Sequence, residues 1–110
     1  RIRDTIISVI PEIARETLGK KQCKIIIYGA GNFGKKALEK YGDRVAYFAD
    51  RNKNLIGKKI NNIEIIGLEK LKCNKDYLVL IAVGTEKIYS CMTTLIKHGV
   101  EQYSVFLDNN

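Results

Sequence analysis

The chain has 110 residues, of which 45% are hydrophobic and 28% are charged, and its formal net charge is +7. These values are typical of one folded domain and exclude a disordered chain. No apolar run approaches the roughly 18 residues that span a bilayer, and acidic side chains near the start exclude a secretory signal.

The first predicted element is helical. Residues 4–18 have apolar side chains at helical spacing, interrupted at Pro11 and followed by Gly19. We therefore expect an N-terminal helical segment over residues 1–20, kinked or restarted at Pro11, ahead of a main domain over residues 21–110. This segment is expected to connect to a preceding domain or to cover one face of the sheet.

From Lys24 onward, short apolar runs alternate with helical patterns. Strands are predicted over 24–28, 45–49, 63–66, 77–83 and 100–107, with 59–60 pairing as a small hairpin, and helices over 32–41 and 86–98. The predicted inward side chains of the helices are Phe33, Ala37, Leu38, Ile88, Met92, Leu95 and Ile96. This alternation predicts an α/β fold with a doubly wound parallel sheet of four to five strands and the first strand at its centre.

A glycine turn directly follows the first strand. Residues 29–34 read GAGNFG, the G-x-G-x-x-G pattern of a Rossmann-like nucleotide-binding turn between a strand and a helix. Gly29 permits the tight turn, Gly31 lets a diphosphate approach bare backbone, and Gly34 allows the helix to pack closely on the strand. The sequence therefore predicts a nucleotide-type fold with its ligand crevice here, and it leaves open whether a nucleotide is still bound.

The remaining positions of this turn and a second turn complete the predicted walls. Asn32 is expected to cap the helix or to touch a phosphate, and Phe33 to pack in the core or to line the ligand. Gly84 and Thr85 follow the strongest strand and face the same crevice, where Thr85 serves as a helix N-cap or a ligand contact. All four are candidate binding residues.

Asp50 comes directly after the second predicted strand. A carboxylate at this place accepts hydrogen bonds from an adenine ribose, although Asp50 can equally cap the polar turn that follows it. Arg51 beside it could accept a 2′-phosphate. The sequence leaves the choice between NAD and NADP open.

A complete catalytic set is not found. The six tyrosines form no Tyr-x-x-x-Lys pair, and neither a G-x-S-x-G elbow nor a P-loop is present. His98 precedes a helix-ending glycine, which is typical of a cation near the negative end of a helix. Whether the chain is an enzyme stays open, and no metal is expected.

Several runs together show a resemblance. They are IIIYGAGNFG (25–34), YFADRN (47–52), Gly57 with NIEII (62–66), YLVLIAV (77–83) and LIKHGV (95–100). Over about residues 23–107 they are similar to small Rossmann-like domains attached to bacterial surface-sugar enzymes. Relatives include domains of nucleotide-sugar acetyltransferases and dehydratases, and domains that accompany some glycosyl- and methyltransferases.

The resemblance implies a nucleotide-binding domain of a bacterial polysaccharide-biosynthesis protein, as part of a larger sugar-processing transferase. Its ligand would be NAD(P) or a nucleotide sugar, held by the glycine turn, Asp50 and residues 82–85. The alternative is an interaction or oligomerisation module that keeps the fold without a ligand. A homodimer or an attached catalytic domain is the expected protein partner.

Charge and cysteine content bear on partners and location. The lysines are spread along the chain among acidic residues, with no arginine-rich run, so we expect no specific nucleic-acid partner. The cysteines Cys23, Cys73 and Cys91 are too far apart for a metal clip and odd in number, which favours a reducing, cytoplasmic setting.

Overall fold

The computed structural model describes residues 23–71 and 76–107. The helical segment predicted over residues 1–20, and with it the proposed domain boundary, lies outside the described residues.

Six strands form one sheet in the order β3-β4-β2-β1-β5-β6, and all pairs are parallel except β3 with β4. The strands are β1 (Lys24–Tyr28), β2 (Val45–Ala49), β3 (Lys59–Ile60), β4 (Ile63–Ile66), β5 (Tyr77–Ile81) and β6 (Tyr103–Val105). The helices are α1 (Asn32–Tyr41) and α2 (Ile88–Lys97), with 3₁₀ turns at Gly42–Arg44, Leu68–Lys70 and Thr85–Lys87. The predicted Rossmann-like α/β fold is confirmed, with β1 inside the sheet.

The strand count exceeds the predicted four to five because the short hairpin partner β3 joins the sheet as a sixth strand. β3 pairs antiparallel with β4, Lys59 opposite Glu64 and Ile60 opposite Ile63. The hairpin turn uses Asn61 and Asn62, both with positive φ, at 50° and 68°. Asparagine tolerates this conformation better than most residues, which suits it to a two-residue hairpin.

The sheet separates two apolar cores, one under each helix. Alternate residues of β1 point to opposite faces, Ile25 and Ile27 to the α1 side and Ile26 and Tyr28 to the α2 side. The α1 side also buries Ala37, Leu38, Phe48 and Leu80, and the α2 side buries Val79, Ile81, Ile88, Cys91, Met92 and Leu95. Helices on both faces explain why β1 and β5 are continuous apolar runs.

Two side chains predicted to face inward are instead exposed. Phe33 is 40% exposed, because the first turn of α1 starts at the carboxyl edge of the sheet, and the Lys36 ammonium lies 5.8 Å from its ring centre. Ile96 is 61% exposed, since the sheet covers only the stripe of α2 that holds Ile88, Met92 and Leu95. Both inward assignments were wrong.

Three predicted bounds also change. β5 ends at Ile81, β6 is only three residues long, and the helix after β5 begins at Ile88 because Thr85–Lys87 forms a 3₁₀ turn. Among the described residues, no helix is long and apolar enough to cross a membrane.

Candidate functional site

Gly29 follows β1 and lies between the ends of β2 and β5. Its φ is +119°, a conformation that L side chains rarely adopt, and its N–H donates to the Ala49 carbonyl at 2.8 Å. A Cβ here would collide with the Ala82 carbonyl oxygen. Ala82 in turn donates its N–H to the Tyr28 carbonyl at 2.9 Å. The turn therefore packs directly against the backbone after β5, and a side chain at Gly29 has no room.

The other two glycines differ sharply in their surroundings. A Cβ at Gly34 would collide with the Gly29 carbonyl oxygen, so the absence of a side chain lets α1 pack on the turn. A Cβ at Gly31 would meet nothing within 4 Å, so the backbone there borders open space. The tight turn at Gly29 and the close packing at Gly34 are as predicted, whereas the role of Gly31 beside a diphosphate stays a prediction.

The first turn of α1 carries no side-chain cap. Gly31 is the N-cap, and Asn32 occupies the first helical position without a capping hydrogen bond, so the expected cap role of Asn32 was wrong. The first intrahelical bond runs from the Lys35 N–H to the Gly31 carbonyl at 3.0 Å. The N–H groups of residues 32–34 precede it and point out of the helix beside the open face of Gly31.

Asp50 links the end of β2 to the glycine turn. Its Oδ2 accepts a hydrogen bond from the Ala30 N–H at 2.9 Å, and its Oδ1 accepts one from the Asn52 N–H at 2.8 Å. The second bond is the turn cap that the sequence suggested. Each carboxylate oxygen can accept a further hydrogen bond. The fold thus sets an oriented acceptor beside Gly31.

The turn after β5 forms the opposite wall. Gly84 is the N-cap of the 3₁₀ turn, and the exposed Thr85 begins that turn without a capping bond, so its expected N-cap role was wrong. The carboxylate of Glu86 folds back over Gly84. Sequence reasoning missed Glu86, although Gly-x-Glu-Lys occurs both at 67–70 and at 84–87.

Arg51 follows Asp50 at this edge. It is exposed, and its charge acts on Tyr28 and Cys91. Burial raises the pKa of Tyr28 to about 12, the Cys91 thiol adds to the rise, and Arg51 opposes it. Burial also raises the pKa of Cys91, opposed by Tyr28 and Arg51. Both groups therefore stay protonated at neutral pH.

The Tyr28 hydroxyl is buried without a hydrogen bond among the described residues, beside the Cys91 thiol and the Thr94 hydroxyl but with hydrogen-bond geometry to neither.

Within residues 23–71 and 76–107, no three His, Cys, Asp or Glu side chains are grouped so as to hold a metal ion.

No protein-family model and no curated protein matches the chain. Solved structures of RSP, a Rex-family repressor, share its fold. RSP alone has a TM-score of 0.55 over 81% of this chain, its complex with beta-NADH 0.54 over 81%, and its complex with beta-NAD+ and operator DNA 0.56 over 86%, each at 23% identity. The matched region is 47%, 47% and 48% of those chains, so this chain spans about half of their length.

These structures correct one expectation drawn from charge. A fold like this one has been solved together with operator DNA, so the expectation of no specific nucleic-acid partner was wrong. The surface-sugar context implied by the sequence resemblance finds no match among them.

Proposed function

We propose that this domain binds a nicotinamide adenine dinucleotide across the carboxyl edge of its sheet. The observation that carries the proposal is the hydrogen bond from the Ala30 N–H to Asp50 Oδ2 at 2.9 Å. This bond sets an acceptor for the ribose hydroxyls directly beside the open backbone at Gly31, where a diphosphate would lie. Solved structures of the same fold contain beta-NADH and beta-NAD+, which supports this ligand.

The residues present fit such a group. The space that a Cβ would fill at Gly31 is open, and the free N–H groups of residues 32–34 offer donors to an anion. Phe33 is exposed at the same turn, where its ring can cover the ligand. Gly84 and Thr85 line the side toward β5.

The geometry favours NAD over NADP. A 2′-phosphate on the adenine ribose would face the carboxylate of Asp50, and the two negative charges would repel each other. Arg51, next to Asp50 in the chain, is exposed and would offset part of this repulsion. We therefore expect NAD to bind more tightly than NADP.

Isothermal titration calorimetry with NAD+, NADH, NADP+ and a UDP-sugar tests the proposal. We expect heat from NAD+ or NADH and weaker binding of NADP+. Binding of the UDP-sugar alone would favour the nucleotide-sugar role that the sequence resemblance implies. Absence of heat with every ligand would favour an interaction module without a ligand.

A second candidate function concerns the longer protein. The related fold in RSP was solved with beta-NAD+ and operator DNA together, and α1 presents Lys35, Lys36 and Lys40 on its exposed side. The domain would then report the nicotinamide pool to a DNA-binding partner. Selection of bound sequences from random DNA by the full protein, with NAD+ and with NADH, checks this; failure to enrich any sequence counts against it.

A further inference from the structure

Two loops at the carboxyl edge share both sequence and local structure. Gly67 and Gly84 each cap a 3₁₀ turn in extended conformation, and the N–H of the lysine three residues later donates to the glycine carbonyl, at 3.2 and 2.9 Å. In both loops the glutamate carboxylate folds back over the glycine. A Cβ would lie 2.6 Å from a Glu69 oxygen and 2.5 Å from a Glu86 oxygen. Each loop thus holds one carboxylate close to the strand end.

The strand order places these carboxylates on opposite sides of the glycine turn. Glu69 follows β4, beyond β2, and Glu86 follows β5, which pairs with β1 on the other side. Neighbouring strands lie about 4.8 Å apart, so the loops after β4 and β5 are separated by three spacings, about 14 Å. One carboxylate therefore flanks each end of the proposed ligand crevice.

The direction of the ligand follows from Asp50 and rests on the proposed function. With the adenine ribose at Asp50 after β2 and the diphosphate over Gly31 after β1, the nicotinamide half would extend over the end of β5. It would then approach Glu86, whereas the adenine half would lie on the Glu69 side. The nicotinamide ring carries a positive charge in NAD+ and none in NADH, and adenine is the same in both.

We propose that Glu86 makes this site discriminate between the two redox states and favour NAD+. Its carboxylate attracts the cationic ring of NAD+ and gains nothing from the neutral ring of NADH. The neighbouring Lys87 is exposed as well, and its ammonium opposes part of this attraction. Because Glu86 is exposed, the preference is about two- to fivefold, the scale of a solvated ion pair.

Calorimetry at low ionic strength tests this with Glu86→Gln and its twin Glu69→Gln. Both variants remove one exposed carboxylate of the same local structure, so their effects on folding and on net charge match. We expect the wild-type chain and Glu69→Gln to bind NAD+ more tightly than NADH. Glu86→Gln should bring the two dissociation constants together, mainly by weakening NAD+.

The outcomes separate the inference from the proposed function. Tighter binding of NADH by the wild-type chain, or an unchanged ratio in Glu86→Gln, overturns the role of Glu86 and leaves dinucleotide binding standing. If the ratio of the NADH to the NAD+ dissociation constant falls equally in both variants, the effect is one of general charge, which also overturns the role of Glu86. Absence of binding by either cofactor overturns the proposed function together with the inference.

Discussion

Asp50 Oδ2 accepts the N–H of Ala30 at 2.9 Å, while Oδ1 accepts the N–H of Asn52 at 2.8 Å. One carboxylate therefore joins the end of β2, the glycine turn and the loop that follows. A residue that the sequence marked as a ligand contact also holds the shape of the site.

Asp50→Ala should lower both stability and affinity. It leaves two backbone N–H groups without their acceptor, which costs about 1–3 kcal/mol in the free energy of unfolding, and it removes the proposed ribose acceptor. Urea denaturation and calorimetry with NAD+ measure the two effects. Asp43 is an exposed carboxylate in the Gly42–Arg44 turn, so Asp43→Ala is the control and should change neither stability nor affinity. Unaltered stability of Asp50→Ala would contradict the structural role.

Alanine at Gly31 and at Gly34 should have opposite effects on folding and binding. A Cβ at Gly31 meets no atom within 4 Å and should leave stability nearly unchanged while obstructing the diphosphate. A Cβ at Gly34 collides with the Gly29 carbonyl, and such overpacking costs about 1–3 kcal/mol. Thermal unfolding with and without NAD+ distinguishes them. Full ligand-induced stabilisation of Gly31→Ala would argue against a diphosphate at this place.

Tyr28 should make the domain sensitive to alkaline pH. The pKa of this tyrosine is raised from 10.0 to about 12, so the unfolded chain ionises first. The contribution of Tyr28 to the free energy of unfolding is complete below pH 10 and is lost as pH rises through 12, in total about 2–3 kcal/mol. Urea denaturation at a series of pH values measures this loss.

Tyr28→Phe should reduce that alkaline loss. At neutral pH it should be as stable as the wild type or up to about 1 kcal/mol more stable, because it removes a buried hydroxyl without a hydrogen bond among the described residues. Tyr89→Phe, at an exposed tyrosine, is the matched control. A marked loss of stability in Tyr28→Phe at neutral pH would show that the hydroxyl has a partner.

Adjacent positions on α2 should respond very differently to truncation. Leu95 is fully buried, and Leu95→Ala should cost about 2–5 kcal/mol. Ile96 is 61% exposed, and Ile96→Ala should change stability by less than about 0.5 kcal/mol. Comparable losses at the two sites, measured by urea denaturation, would indicate that Ile96 is covered in solution.

The sequence predicts the fold closely wherever the hydrophobic period changes abruptly. β1, α1 and β2 have their predicted bounds, because an apolar run, a glycine turn and a helical stripe follow one another without ambiguity. Phe33 and Ile96 were misplaced for a physical reason. Helical spacing shows which residues share a face, but only the packed sheet decides how wide a stripe is covered.

The candidate site was predictable in position but only partly in detail. The order of strands brings Asp50 to the glycine turn, as the spacing predicted. The hydrogen bonds from two backbone amides to the Asp50 oxygens depend on the conformation of a loop, and no periodic sequence pattern specifies that conformation. The carboxylate of Glu86 over Gly84 was missed for the same reason, although the repeated Gly-x-Glu-Lys was a visible signal.

The position of β1 between β2 and β5 also has a consequence for how the protein is made. Ile26 pairs with Tyr47 on one side and with Val79 on the other, a partner far along the chain. During synthesis, the glycine turn and Asp50 leave the ribosome well before β5, the strand that completes the crevice. Pairing of β1 with β5 is a non-local step, which slows folding. The proposed dinucleotide would therefore bind only chains that have completed this late step.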